Sequence, residues 1–234
     1  LHTMTQRRIS SFISRAIAIS LLLLAVATPS AAQERKGIAK QEADTVALFR
    51  GVAVSADLVG LVQLAVSDYG QYEAALRINL KDKYFPVVEL GYGKADANDI
   101  TTSMTFKTKA PYGRVGLDFN LLRNKHDIYR AYAGFRYGCT FYKFDVEGEG
   151  IKDPVWGDDV PFSVTGVKAN YHWIEGVFGV DAKIAGPLRL GWSVRYRSRI
   201  AHDDGTLGNT WYVPGYGKKG GTRLGGTFNI IFEI

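Results

Sequence analysis

The sequence predicts an all-β protein, an eight-stranded antiparallel up-and-down transmembrane β-barrel. Three observations predict it. Apolar and polar residues alternate with a period of two in segment after segment, short turns alternate with long polar connections, and the polar parity carries glycines and charges of both signs. A strand sends successive side chains to opposite faces, so each segment has one greasy and one polar wall.

The strands are expected at roughly 47–66, 71–80, 84–94, 111–123, 127–146, 169–184, 187–202 and 222–234. In the seventh, Leu188, Leu190, Trp192, Val194 and Tyr196 share one parity, and Arg189, Gly191, Ser193, Arg195 and Arg197 share the other. In the fourth, Val115, Leu117 and Phe119 alternate with Arg114, Gly116 and Asp118; in the fifth, Ala133, Phe135 and Tyr137 alternate with Gly134, Arg136 and Gly138. Pro86 and Pro111 fall at strand beginnings, where a missing N–H does least harm. No helical period is read beyond the first 32 residues.

The connections Lys81–Lys83, Asn124–His126 and Ala185–Pro187 read as tight turns. The stretches 95–110, 147–168 and 203–221 read as long polar loops, and only Ser67–Gly70 breaks this alternation by being short. Short turns at one end and long loops at the other are the plan of an outer-membrane barrel.

Binary pattern alone does not separate such a barrel from a soluble one such as a lipocalin, which is roughly its inverse. Glycine weakens a strand, and its recurrence on the polar face (Gly91, Gly116, Gly134, Gly138, Gly179) makes sense where large side chains must cross a narrow lumen. That face also holds Glu73, Arg77, Glu89, Arg114, Asp118, Arg130, Arg136, Glu175, Asp181, Lys183, Arg189, Arg195 and Arg197. Enclosed charges must be paired, so these residues are expected to form a salt-bridge network that plugs the lumen. Tyr72, Tyr92, Tyr129, Trp192 and Tyr196 on the greasy face fit interfacial aromatic girdles. Phe228-x-Ile230-x-Phe232-x-Ile234 has the look of a barrel's last strand, ending in Ile where Phe is usual.

The first residues read as a processing signal. Arg7, Arg8 and Arg15 precede the apolar run Ala16–Ala27, and Ser30-Ala31-Ala32 offers small residues for cleavage. The run is shorter than the roughly 20 residues a spanning helix needs. The expected organisation is a signal peptide at 1–32, a flexible periplasmic leader at 33–46 and the barrel at 47–234. Without the signal, the basic-to-acidic balance falls from 29 against 23 to 26 against 23, too mild to argue for nucleic acid. The lone Cys139 allows no internal disulfide.

The segments DYGQYEAALRINLKDKYFPVVELGYGKAD (68–96), NKHDIYRAYAGFRYG (124–138), DPVWG (153–157), FGVDAKIAGPLRLGWSVRYR (178–197) and HDDGTLGNTWYVPGYGK (202–218) resemble those of domain of unknown function 6048, a family of gut Bacteroidales. The resemblance runs from about Leu48 to Ile234 and implies an outer-membrane β-barrel. It carries over no activity and no binding residue. In plan the chain is also similar to the barrel portion of OmpA-like proteins, without a shared motif.

No catalytic set, cofactor or metal site is expected. His172 and Glu175 lie three apart in a strand and so face opposite ways, and no Ser follows the His at the spacing a lipid A deacylase would use. Candidate recognition residues are the loop aromatics Trp156, Phe162, Trp211 and Tyr212 with His202, Asp203 and Asp204. The alternative for the aromatics is that they pack over the barrel mouth. The expected role is structural or an interaction role in a Gram-negative outer membrane, with membrane lipid and protein partners and no nucleic acid. A lipid A-modifying enzyme and a soluble lipocalin-like binder are the alternatives.

Overall fold

The computed structural model describes residues 47–99, 103–152 and 159–234, so the expected signal peptide and leader lie outside the described residues. Within them, eight strands close into one antiparallel barrel: β1 (Phe49–Asp57), β2 (Tyr69–Leu80), β3 (Tyr84–Asp99), β4 (Met104–Asn120), β5 (Tyr129–Lys152), β6 (Asp159–Ala185), β7 (Leu188–Asp203) and β10 (Thr222–Glu233). Strands consecutive around the barrel pair in an up-and-down order, and β1 closes the ring against β10. A small hairpin, β8 (Tyr212–Val213) with β9 (Gly217–Lys218), lies between β7 and β10 in the chain.

Register follows from the two faces. Glu89 of β3 stands opposite Arg114 of β4, Arg130 of β5 opposite Asp181 of β6, and Glu175 of β6 opposite Arg197 of β7. On the outer wall, Leu117 stands opposite Phe135, Ala133 opposite Phe178, and Trp192 opposite Phe228. A slip of one residue would send the arginines outward and the aromatics inward, so the alternation specifies one pairing.

The first expected strand is corrected. It ends at Asp57, and Leu58–Val66 forms a helix, α1. Asp57 caps it, its carboxylate accepting from the Val59 and Gly60 amides at 3.1 Å each. The run LVGLVQLAV is apolar almost all round, so neither a period of two nor one of 3.6 stands out in it. The connection from β1 to β2 is therefore not short.

The expected loops at 95–110 and 147–168 are also corrected, because most of these residues are strand. Beyond the apolar belt the outer face turns polar (Lys107, Lys109, Lys143, Lys168) while the inner face stays apolar (Phe106, Phe144, Val167). Mixed polar composition there marks a change of outer surroundings rather than a break in the sheet. At the other end, Lys81 and Asp82 turn the chain tightly in the left-handed region, at φ 57° and 53°, and Gly186 does so at 51°. Asn124–His126 is only part of its connection, which runs from 121 to 128: the Asn120 side chain donates to the Asp82 carbonyl at 2.9 Å and accepts from the Leu122 amide at 3.1 Å, ending β4 early.

Candidate functional site

Interior residues fall into two layers. In the half nearer the short turns, seven arginines (Arg77, Arg114, Arg130, Arg136, Arg189, Arg195, Arg197) share the lumen with seven carboxylates (Asp57, Glu73, Glu89, Asp118, Glu175, Asp181, Glu233). Formal charges therefore cancel. Glu89 is the hub, receiving Arg195 at 2.6 Å, Arg114 at 3.0 Å and Arg136 at 3.2 Å. Arg136 grips Asp118 with both Nη atoms, at 2.6 and 2.9 Å, a fork matched to a carboxylate. Arg77 joins Asp118 to Asp181 at 3.2 and 3.4 Å, and Arg189 holds Asp181 at 2.7 Å. Arg130 reaches Glu233 on the last strand at 2.6 Å.

Six of the carboxylates are thus linked to arginines in one continuous chain that touches strands on every side of the barrel. The seventh, Asp57, accepts, among the described residues, main-chain amides, from the α1 cap and from Phe228 of β10 at 3.2 Å. A cavity of about 10 Å³ remains among Arg77, Glu89, Tyr132 and Arg136, room for about one water.

Glycines make this filling possible. A Cβ at Gly138 would strike the Trp173 ring, one at Gly179 the Tyr132 ring, one at Gly91 the Tyr112 ring, and one at Gly116 the Arg136 side chain. Each large inward residue crosses over a neighbour that has no side chain.

The second layer is aromatic and fills the half nearer the long connections. Tyr112, Tyr142, Phe144, Tyr171 and Trp173 line the wall, and the segment after β7 descends among them, burying Tyr212, Val213 and Tyr216. Tyr216 packs at a tilt against Tyr171 with ring centroids 4.8 Å apart, and Tyr171 donates to the Gly220 carbonyl at 2.8 Å. Gly215, at φ 81°, brings the backbone against the Tyr112 ring, where a side chain would collide. The two layers are joined by hydrogen bonds: Arg114 donates to the Gly215 carbonyl at 2.6 Å and Arg197 to the Tyr216 carbonyl at 2.9 Å.

All the candidate site residues singled out from sequence except Trp156 fall among the described residues. The twelve other charges expected in the lumen face it, but Lys183 does not join them: it is exposed beyond Asp181 at the short-turn end, with no ion pair among the described residues. Trp156 lies outside the described residues. Phe162 is half-buried on β6 opposite Gly148. Tyr212 is not a surface residue but plug, and Trp211 packs edge-on against Tyr69 at 5.6 Å. His202 is partly exposed, with its ring 5.8 Å from that of Tyr171. Asp203 caps the Gly205 amide at 2.9 Å, whereas Asp204 is buried and bonded to Lys219 at 2.5 Å. These bonds clamp the plug segment.

His172 is on the outer wall, its Nδ1 2.8 Å from the Tyr137 hydroxyl, while Glu175 points inward, so the two do not meet. Among the described residues no three metal-ligating side chains converge. Sequence reasoning missed Asp57 and the interior Tyr112, Tyr132 and Trp173. For the three aromatics the signal was present, inward parity opposite Gly91, Gly179 and Gly138 on the adjoining strands; Asp57, opposite Asn229, carried no such signal.

At the short-turn end, Asp82 gathers Asn79 Nδ2 at 2.6 Å, His126 Nδ1 at 2.6 Å and Arg50 Nε at 3.2 Å. Burial pushes its carboxyl up, but these donors outweigh burial and hold it below the usual carboxylate range.

A family model described as Domain of unknown function (DUF6048) matches residues 12–234. The chain belongs to this family. No curated protein matches the sequence. Among solved structures the chain is similar to Neisserial surface protein A (NspA), with 12% identity, a TM-score of 0.43, and coverage of 80% of this chain and 99% of that one. It is similar to the N-terminal β-barrel domain of Pseudomonas aeruginosa OprF, with 10% identity, a TM-score of 0.39, and the same 80% and 99% coverage. A major outer membrane protein from Thermus thermophilus gives 11% identity, a TM-score of 0.39, and coverage of 79% and 100%.

Proposed function

We propose that this member of the DUF6048 family is a non-conducting barrel of the Gram-negative outer membrane, with a structural or interaction role and a place in a larger outer-membrane assembly. The observation that carries the reading is the inversion of the two walls. Leu90, Phe135, Phe141, Phe178, Trp192 and Leu224 stand exposed on the outside at 53% or more, while Arg114 and Arg136 are buried inside at 1%. In water this arrangement would expose a continuous apolar band and bury charge for no gain. In a bilayer the closed barrel pairs its strands edge to edge and keeps the lumen charges away from lipid. The signal-like first 32 residues supply the export such a location needs.

A lumen blocked by paired charges below and aromatics above leaves no ion path, since eight strands enclose little more than their own side chains. The role then falls to the rim and the outer wall. Planar-bilayer recording of the refolded protein tests this: no single-channel steps are expected in molar potassium chloride, and reproducible steps would refute the closed lumen. A detergent pull-down from native membranes, read by mass spectrometry, tests the assembly role; recovery without a stoichiometric partner would remove it. Lipid A mass spectra unchanged by gene deletion are expected, and a modified species lost on deletion would make the protein an enzyme.

A further inference from the structure

On the outer wall, Lys94 of β3 is the register partner of Lys109 of β4, and Lys143 of β5 is the partner of Lys168 of β6. The pairs Thr108 with Phe144 and Tyr112 with Thr140 set β4 against β5 so that Lys109 stands opposite Lys143. Four lysines on four adjacent strands thus form one row, all exposed and all facing outward. At strand spacing the row is about 14 Å long. Like charges directly opposite across a sheet are destabilising, so such a row calls for an anion.

The described residues place no carboxylate in contact with these ammonium groups. The next row outward behaves differently: Lys107 stands between Asp96 and Asp145, so its charges alternate, and Asp145 already accepts the Gly166 amide at 2.6 Å. Towards the membrane belt, the row sits directly above apolar side chains. Tyr92 pairs with Pro111, and Phe141 is 67% exposed. An open groove of about 470 Å³ runs between Lys109, Lys143, Lys168, Pro111 and Phe141, and its one carboxylate, Asp203, already accepts the Gly205 amide at 2.9 Å.

We propose that this row is a binding site for the phosphorylated headgroup of an outer-leaflet membrane lipid. Lys94, Lys109, Lys143 and Lys168 hold the phosphates, and an acyl chain lies in the groove along Pro111 and Phe141. Ammonium groups set side by side above an apolar wall fit a ligand with anionic oxygens at one end and hydrocarbon at the other. The proposal rests on the membrane reading given above, because it needs the apolar belt to lie in the bilayer with the long connections outside.

The test begins with insertion of the full chain into phosphatidylcholine vesicles, read by protection of the strands from protease. Failure to insert would overturn the membrane reading and this site with it. The protein in detergent micelles is then titrated, by native mass spectrometry, with lipid A bearing two phosphates, with the same lipid A after removal of both, and with inorganic phosphate. The phosphorylated lipid is expected to bind at least about tenfold tighter than the dephosphorylated one, and K94Q/K109Q/K143Q/K168Q is expected to lose that preference while inserting normally. Equal binding of the two lipids to the unaltered protein, or a preference that survives the substitutions, would overturn the site and leave the membrane reading standing. Displacement of the lipid by millimolar inorganic phosphate would make the ligand a free anion and overturn it as a lipid site. Circular dichroism of the variant separates lost binding from lost fold.

Discussion

The two halves of the lumen are filled by different chemistry, and by different parts of the chain. Near the short turns the filling comes from barrel strands alone, as ion pairs such as Glu89 with Arg195 at 2.6 Å. Near the long connections it comes from one segment, Trp211–Tyr216, threaded inward among wall aromatics. The ionic half gains specificity but little net stability, because desolvating charges offsets most of their attraction. The aromatic half gains from burial of apolar area and ring contacts such as Tyr171 with Tyr216 at 4.8 Å. Removing one partner should therefore hurt the ionic half most, since it leaves buried charge behind.

Glu89→Ala leaves Arg114, Arg136 and Arg195 without their shared partner and is expected to cost about 3–5 kcal/mol, read as a lowered urea midpoint in vesicles. Tyr216→Ala removes an aromatic from the plug and is expected to cost about 3 kcal/mol, with no channel steps appearing because the ionic half still blocks the lumen. Channels in that variant would show that the plug, not the charge network, seals the barrel. Gly138→Val drives a side chain into the Trp173 ring and is expected to cost about 1–3 kcal/mol; a neutral result would mean the wall can give way there.

Smaller effects lie at the two ends. Asp57→Ala removes the α1 cap and the acceptor of the Phe228 amide and is expected to cost about 1 kcal/mol, with faster amide exchange confined to Leu58–Val66. Asp82 has a depressed carboxyl pKa in the folded protein. Its contribution is present above the unfolded value of about 3.9 and is lost as pH falls through the lower folded value. Asp82→Asn should therefore flatten the fall of the thermal midpoint below about pH 3.9 and change its slope little near neutrality. An unchanged acid slope would assign that fall to other carboxylates.

The charged half of the lumen was legible from alternation because a strand's parity decides which way a side chain points, whatever surrounds it. Arg189, Arg195 and Arg197 could be assigned to one wall from their spacing alone. Lys183 shares that parity and still escapes, because it stands where the barrel wall ends and water begins. Parity gives direction but not depth.

The sequence by itself determined an eight-stranded barrel with one apolar wall and one charged wall, because both follow from local periodicity and turn chemistry. Only the tertiary structure decided which arginine meets which carboxylate, that Leu58–Val66 is helix, that Tyr212 and Tyr216 enter the lumen, and that four lysines align on the outside. The physical reason is common to all four. Ion-pair partners such as Arg195 and Glu89 lie 106 residues apart in the chain, the helix depends on a cap and on packing against β2, and a plug or a lysine row exists only once strands distant in sequence stand side by side.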